Sequence, residues 1–496
     1  MSSTGLGGRA ARGAAVTLVA QAAKMITQFL GVVILARLLN SDDYGLFALA
    51  VSIVTFGELF RDFGLSSAAI QSPTLSRAER DNLFWLNTAI GAVLSIIVFA
   101  GAPLIASFSG HPDLKQVTQV LSVIFLLNGL TTQYRANLVR GLRFKAIAAT
   151  EIASAVLGLT VGIISAVAGL GYWALVIQQM TTAATLLIGM VIAGRWLPRL
   201  YTRSVSVRRF MRFGISLLGS QIIGYAANNV DTWIIGIRFG TGILGFYNRA
   251  FQLLMTPINQ IRTPSTTVAL PVLSQLTNDQ PRFDRFVRQG QLALALPLGL
   301  AMALVAGGAS AIVPVILGNE WAASTPYLRL FAIAALFQTL AMVGYWIYLA
   351  RGLTSVLFRY SIVQALIKFS CIIIGSYWGT IGLAVGYMIA PALSWPISLW
   401  WLGRNTPIPQ RALYKNAFSV VAQAAVVGCA SYAATTASAG LGSLISMILG
   451  ALAGVAAYLV LIGVVPAFRN DLKDVFAMAA MVRNRPGKPG TEEKKD

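Results

Sequence analysis

Residues 83–107 read LFWLNTAIGAVLSIIVFAGAPLIAS, an apolar run without one charged side chain. As a helix rising ~1.5 Å per residue, this run crosses the ~30 Å hydrocarbon core of a bilayer. It is too long and too uniform for a transmembrane strand, which needs ~10-residue segments of alternating polarity. Arg77 and Arg80 precede the run, and a turn around His111 and Pro112 without arginine follows it.

The same unit recurs along the chain. Further apolar segments fall at about 13–38, 44–69, 116–139, 146–168, 171–194, 211–239, 243–272, 287–317, 327–350, 355–377, 380–402, 414–436 and 442–467. The fold class read from this is an all-α polytopic membrane protein with about fourteen transmembrane helices. The gaps are short, so no large extramembrane domain is inserted. Of the 496 residues, 56% are hydrophobic and only 11% charged, a balance that would leave a soluble protein with aggregating apolar surface.

The basic residues orient the spans. Lysine and arginine number 38 against 17 acids, a net charge of +21. They gather in the N-terminal segment (Arg9, Arg12), in alternate gaps (Arg77 and Arg80, Arg140 to Lys145, Arg195 to Arg212, Arg282 to Arg288, Arg351 and Arg359, Arg404 to Lys415) and in the tail from Arg469 to Lys495. The intervening gaps near 40, 110, 170, 241, 322, 378 and 439 hold essentially none. Basic loops stay cytoplasmic, so both termini are expected in the cytoplasm of a cell with this protein in its inner membrane. The charge calls for no nucleic acid, since no recognition module accompanies it, and it suits contact with anionic lipid headgroups.

Several chemistries are excluded. The N-terminal apolar run is longer than a signal-peptide core and carries Lys24 and Gln28, so no cleavable signal is expected. Cys371 and Cys429 both lie within spans and read as packing residues. His111 is the sole histidine, which removes metal sites and histidine-based catalysis. No nucleotide-binding loop is present. The acids of the small outer loops are Asp42, Asp43, Asp113 and Glu320, too few for a membrane-surface transferase. No catalytic residue, metal or cofactor is expected. A transporter remains, with coupling to H+ or Na+ left open.

An internal repeat supports this. Residues 31–47, GVVILARLLNSDDYGLF, match 233–247, WIIGIRFGTGILGFY, in an apolar run, an arginine at its outer end, a tight turn, then a glycine and aromatic entry into the next span. The offset is about 200 residues. Two pseudo-symmetric six-helix bundles follow: residues 1–196, a basic cytoplasmic linker at 197–210, and residues 211–403. Two further spans occupy 404–467 and a basic cytoplasmic tail 468–496. Repeats of this kind flank a central substrate site.

Charges inside the membrane cost several kcal/mol and usually face a cavity or a partner. Lys24, Arg61, Arg249, Arg262 and Lys368 are the embedded cations, and Glu58, Asp62 and Asp231 the embedded acids. Arg37, Lys115, Arg238 and Arg329 lie nearer the outer surface, where they can snorkel. The five cations are the candidate substrate-binding residues, because arginine forks fit phosphate oxygens. The competing reading is mutual neutralisation, which Glu58 and Arg61 at i, i+3 can achieve on one helix. Glu58 and Asp62 stand one turn apart, either as a proton-exchanging pair or as a static cluster. Asp231 either pairs with Arg249 or takes part in ion coupling.

The segments Asp62-Phe-Gly-Leu-Ser-Ser-Ala-Ala-Ile-Gln71 and Phe84-Trp-Leu-Asn87, then Arg135, Gly141-Leu-Arg-Phe-Lys145, Glu151 and Gly318-Asn-Glu-Trp321 with Pro326, resemble the oligosaccharide flippases of the multidrug/oligosaccharidyl-lipid/polysaccharide exporter superfamily. The similarity is strongest to the colanic-acid and succinoglycan exporter branch and runs from about Gly13 to Trp401. It implies translocation of undecaprenyl-pyrophosphate-linked oligosaccharide to the periplasmic leaflet for exopolysaccharide, capsule or lipopolysaccharide. It also implies two bundles that rock about a cavity, and a polysaccharide polymerase and chain-length regulator as partners. The alternatives are an ion-coupled multidrug or metabolite antiporter and a peptidoglycan lipid II flippase of the same superfamily. The excess of embedded cations argues against the antiporter, whose cationic substrates call for acidic walls.

Overall fold

The computed structural model describes residues 23, 25–62, 75–141, 143–202, 225 and 229–483, and no strand occurs among them. The helices, in chain order, are α1 (Met25–Ala36), α2 (Ser41–Asp62), α3 (Arg77–Ser109), α4 (Leu114–Arg140), α5 (Phe144–Val167), α6 (Trp173–Gly194), α7 (229–238), α8 (Thr241–Gln275), α9 (Gln280–Ile316), α10 (Thr325–Ala350), α11 (Thr354–Ser376), α12 (Gly379–Asn405), α13 (Gln410–Ala437), α14 (Ser443–Val464) and α15 (Pro466–Arg483). A short 3-10 turn, Asn319–Ser324, joins α9 to α10.

Among the described residues, ten helices are long and apolar enough to cross a membrane: α3 to α6 and α9 to α14. These are ten of the fourteen segments read from the sequence. The other four are the first two spans of each repeat, which carry all the embedded charges except Lys368 of α11. Of these, α1 is a shorter apolar helix, while α2 has 22 residues and α8 35, but both are diluted by polar side chains. The segment 211–239 is described only at 225 and from 229 on. Large apolar side chains such as Ile96, Phe108, Ile192, Leu366 and Leu459 are exposed on the protein surface, as hydrocarbon requires.

Side-chain caps begin the helices that follow tight turns. Asn40 and Asp43 cap α2 reciprocally, with Asp43 N–H donating to Asn40 Oδ1 at 2.9 Å and Asn40 N–H to Asp43 Oδ2 at 3.3 Å. Ser76 and Glu79 form the same box at the start of α3. Gly110 ends α3 with φ 70°, a left-handed value that suits glycine. Small residues let helices touch by their backbones: a Cβ on Gly129 in α4 would lie 2.7 Å from the Asn87 carbonyl of α3.

The chain divides into two compact units. The first comprises residues up to Pro257 together with Ile316–Ser324, and the second Ile258–Val315 and Thr325–Asp496. The first unit is pinned at one end by an aromatic cluster. Trp196 packs with Phe84 and Tyr134, donates from Nε1 to Asp81 Oδ1 at 3.1 Å, and lies under the Arg80 guanidinium at 4.3 Å. The start of the segment read as a linker is held along α3, because Asn82 exchanges two 2.8 Å hydrogen bonds with the Thr202 backbone.

At the opposite end of this unit the two copies of the sequence repeat meet. Gly45 near the start of α2 rests on the Thr241 backbone, and Gly245 near the start of α8 rests on the Ser41 backbone. A Cβ at either glycine would overlap the carbonyl oxygen facing it. Thr241 Oγ1 donates to Asp42 Oδ1 at 3.1 Å across the crossing. Trp321 of the 3-10 turn is 2% exposed, donates from Nε1 to the Ala36 carbonyl at 2.6 Å, and packs edge-on against Tyr44 and Phe246.

The core of the second unit is built from residues such as Leu292, Leu340, Ile347, Leu399, Leu413 and Ala417. The start of the segment read as a basic tail forms α15. Its Asp471 Oδ2 accepts from Ser419 Oγ at 2.5 Å and Gln423 Nε2 at 3.2 Å on α13.

Candidate functional site

A cavity of about 480 Å3 lies wholly within the first unit, lined by α1, α2, α5, α6 and α8. Its polar walls come from Gln28, Glu151, Ser154, Gln178, Gln179, Asn248, Arg249 and Gln252. Arg249 is the cation in this wall and is 4% exposed. Its guanidinium lies 3.3 Å from the centroid of the Tyr44 ring, and Nη1 donates to Gln252 Oε1 at 3.1 Å. Gln252 in turn donates to Asn248 Oδ1 at 2.7 Å, so α8 aligns the three side chains itself at i, i+3 and i+4 spacing. Arg249 Nε has no hydrogen-bond partner among the described residues. No carboxylate pairs with Arg249 among the described residues.

A buried arginine without a counter-ion is costly unless something anionic occupies its surroundings. Burial strengthens every interaction it makes with such an anion. Tyr44 holds the flat guanidinium face and Gln252 engages Nη1, so Nε is the donor left without a partner among the described residues.

The other sequence-selected residues are placed differently. Arg61 donates from Nε to Glu58 Oε2 at 2.5 Å and from Nη1 to Thr132 Oγ1 at 2.6 Å, while Asn128 Nδ2 donates to Glu58 Oε1 at 3.1 Å. Glu58 and Arg61 thus tie α2 to α4, and neither lines the 480 Å3 cavity. Asp231 on α7 is 2% exposed and accepts from the Tyr247 hydroxyl at 2.5 Å; its Oδ1 has no hydrogen-bond partner among the described residues. Asp231 and Arg249 form no ion pair. Lys24 and the Asp62 side chain lie outside the described residues.

In the second unit Arg262 fastens α8 to α10. Nη1 donates to Gln338 Oε1 at 2.9 Å, and Nη2 to the Ala335 carbonyl at 2.8 Å and Thr339 Oγ1 at 3.0 Å. The Lys368 ammonium sits 5.0 Å from the Tyr387 ring, and the Tyr387 hydroxyl is 3.4 Å from Gln338 Nε2. Tyr387 and Gln338 therefore link the surroundings of Lys368 and Arg262.

Sequence reasoning missed Tyr44, Gln178, Gln252 and Tyr387. Only Gln252 had a readable signal, its i, i+3 spacing from Arg249.

Comparison with known proteins points in one direction. The family model described as polysaccharide biosynthesis protein matches residues 34–326. The chain is 25% identical over 371 residues to the lipopolysaccharide biosynthesis protein WzxC of Escherichia coli K12, covering 73% of this chain and 74% of that one. It is 24% identical over 355 residues to the succinoglycan biosynthesis transport protein ExoT of Rhizobium meliloti, covering 71% and 72%. Among solved structures, the lipid II flippase MurJ in an inward closed conformation superposes with a TM-score of 0.70 at 15% identity, over 94% of this chain and 99% of that one. An inward-facing multidrug resistance MATE family transporter of the MOP superfamily gives 0.55 at 15% identity, over 81% and 96%. At these identities both show the fold alone.

Proposed function

The chain belongs to the polysaccharide biosynthesis protein family, and from that premise we propose that it carries undecaprenyl-pyrophosphate-linked oligosaccharide from the cytoplasmic to the periplasmic leaflet of the inner membrane. The product feeds assembly of exopolysaccharide, capsule or lipopolysaccharide. The observation that carries this is Arg249, a buried cation with no carboxylate partner among the described residues, in the polar wall of a 480 Å3 cavity.

The chemistry is consistent at each step. A sugar-pyrophosphate head cannot enter hydrocarbon without losing its hydrogen bonds to water. The glutamine and asparagine side chains around Arg249 offer both donors and acceptors to sugar hydroxyls, and Arg249 offers donors to phosphate oxygens. The polyprenyl tail needs no shelter and stays in lipid. A single unpaired arginine is a weak enough clamp to release its cargo, which a transporter needs as much as capture.

The proposal includes fourteen spans in two six-helix bundles plus two, both termini in the cytoplasm, and alternating access. Polymerase and chain-length regulator take the product on the far side. Arg262 and Lys368 belong to the second unit, where both are already engaged. A chromosomal deletion tests the reading: polymer should disappear from the cell surface while its lipid-linked unit accumulates facing the cytoplasm. A deletion strain with normal polymer and altered drug sensitivity would favour the antiporter instead.

Ion coupling by H+ or Na+ belongs to the same proposal, and Asp231 is its strongest carrier. It is buried on α7, it accepts from the Tyr247 hydroxyl of α8, and its other oxygen has no hydrogen-bond partner among the described residues. Glu58 is instead joined to Arg61. Asp231→Asn should flatten the pH or sodium dependence of transport in vesicles. Glu58→Gln should keep that dependence and lower the thermal unfolding midpoint, because Arg61 loses its charged partner at a cost of about 1–3 kcal/mol. The reverse pattern would return coupling to α2.

A further inference from the structure

A second cavity, of about 370 Å3, lies in the second unit between α9, α10 and α13. Its walls are almost wholly apolar, and among its lining residues Gly307 and Gly428 let α9 and α13 touch, since a Cβ on Gly307 would lie 2.5 Å from the Gly428 carbonyl oxygen. One charged residue lines it: Arg329, in the first turns of α10, just past the 3-10 turn. Arg329 Nε donates to the Ala306 carbonyl at 3.0 Å, and its guanidinium lies 4.7 Å from the Tyr432 ring centroid. No carboxylate pairs with it and neither Nη has a protein hydrogen-bond partner, among the described residues.

The dimensions select an occupant. From Arg329 to Phe337 α10 rises about 12 Å, and from Tyr432 to Val421 α13 runs about 16 Å, at ~1.5 Å per residue. That is about half of the ~30 Å hydrocarbon core, the depth of one leaflet. We propose that this slot binds an anionic glycerophospholipid of the leaflet on the α9–α10 side, one acyl chain lying between the helices and the phosphate meeting Arg329. A leaflet-deep slot fits a fatty acyl chain better than a polyprenyl chain, which is several times longer than the slot. A lone cation with no acid beside it favours a net anionic headgroup over a zwitterionic one, whose ammonium it would repel. The site is separate from the Arg249 cavity and does not depend on what the protein carries.

Cys429 lines the slot and is exposed, so it reports occupancy from within. The experiment follows N-ethylmaleimide modification of Cys429 in purified full-length protein, resolved from Cys371 by peptide mass spectrometry. Phosphatidylglycerol, phosphatidylethanolamine and undecaprenyl phosphate are each added to detergent-solubilised protein. Phosphatidylglycerol should slow modification about tenfold more than phosphatidylethanolamine, a difference of about 1.4 kcal/mol in binding. Arg329→Gln should erase that preference. Ala425→Phe, at an exposed position in the slot, should slow modification without lipid and make added lipid irrelevant. Equal protection by both phospholipids, or no protection, would overturn the proposal. Stronger protection by undecaprenyl phosphate than by phosphatidylglycerol would overturn it too, and assign the slot to the carrier lipid.

Discussion

Arg249→Gln should cut polymer export to about a tenth of the wild-type level or below while leaving the protein folded in the membrane. Glutamine keeps much of the side-chain length and retains a donor for Gln252. It removes the charge, the stacking on Tyr44 and the paired edge donors together. A charged hydrogen bond contributes about 1.5–3 kcal/mol, and two made at once to one phosphate approach the upper figure or exceed it. Each 1.4 kcal/mol is about tenfold in binding, so a loss of ten- to several-hundred-fold follows. Arg249→Lys should fall between: the charge remains, the fork does not. Surface polymer is measured by immunoblot and folded protein by gel filtration in detergent. The stability readout matters, because removing a buried charge without a carboxylate partner should leave stability unchanged or raise it. Normal export in Arg249→Gln would move headgroup binding to Arg262 and Lys368.

The second large effect concerns the glycine crossing. Gly45→Ala and Gly245→Ala each place a methyl group on a backbone carbonyl of the facing copy, which cannot rotate away as a side chain can. Overpacking of this kind costs about 1–3 kcal/mol, and here the relief must come from separating the starts of α2 and α8. Either substitution should lower the thermal unfolding midpoint clearly. The double variant should lower it by less than the sum, because one separation relieves both clashes. Gly101→Ala is the control: no atom lies within 4 Å of its added Cβ, and a helix-interior glycine replaced by alanine gains stability. Additive losses at Gly45 and Gly245 would show that the two crossings relax independently.

The sequence reads the fold well where apolar runs are long and uncharged. Ten of the segments read as spans are helices of the required length and composition, because hydropathy over ~20 residues is a local property. It is weakest at the first two spans of each repeat, where polar residues dilute the same signal. The α15 helix was invisible to that test because Arg469, Asn470, Asp471, Lys473 and Asp474 crowd its first half, and its anchor Asp471 lies 52 residues from Ser419. The repeat was legible as two matching strings, which align Gly45 with Gly245. That these glycines touch reciprocal backbones was not legible, since similarity between two strings does not imply contact.

The site divides along the same line. Glu58 with Arg61 is an i, i+3 pair and was readable as mutual neutralisation; the Thr132 and Asn128 contacts were not, lying about one helical hairpin away in sequence. Arg249 was chosen because charge in hydrocarbon is expensive, and the cavity beside it justifies the choice. Tyr44, its stacking partner, carries no such signal: a tyrosine at a span edge is ordinary, and only the crossing of α2 and α8 brings it over the guanidinium. Arg262 and Lys368 were selected by the same cost argument, yet the hydrogen bonds of Arg262 to α10 show that an embedded cation can also fasten one helix to another.

The most direct test of the account is reconstitution. Purified protein in proteoliposomes, given undecaprenyl-pyrophosphate-linked oligosaccharide in one leaflet, should expose it to an impermeant glycosidase or lectin in the other. The account predicts movement that Arg249→Gln reduces at least about tenfold, the size of one lost charged contact. Movement at the wild-type rate in Arg249→Gln, or none above protein-free vesicles with the wild type, would contradict it.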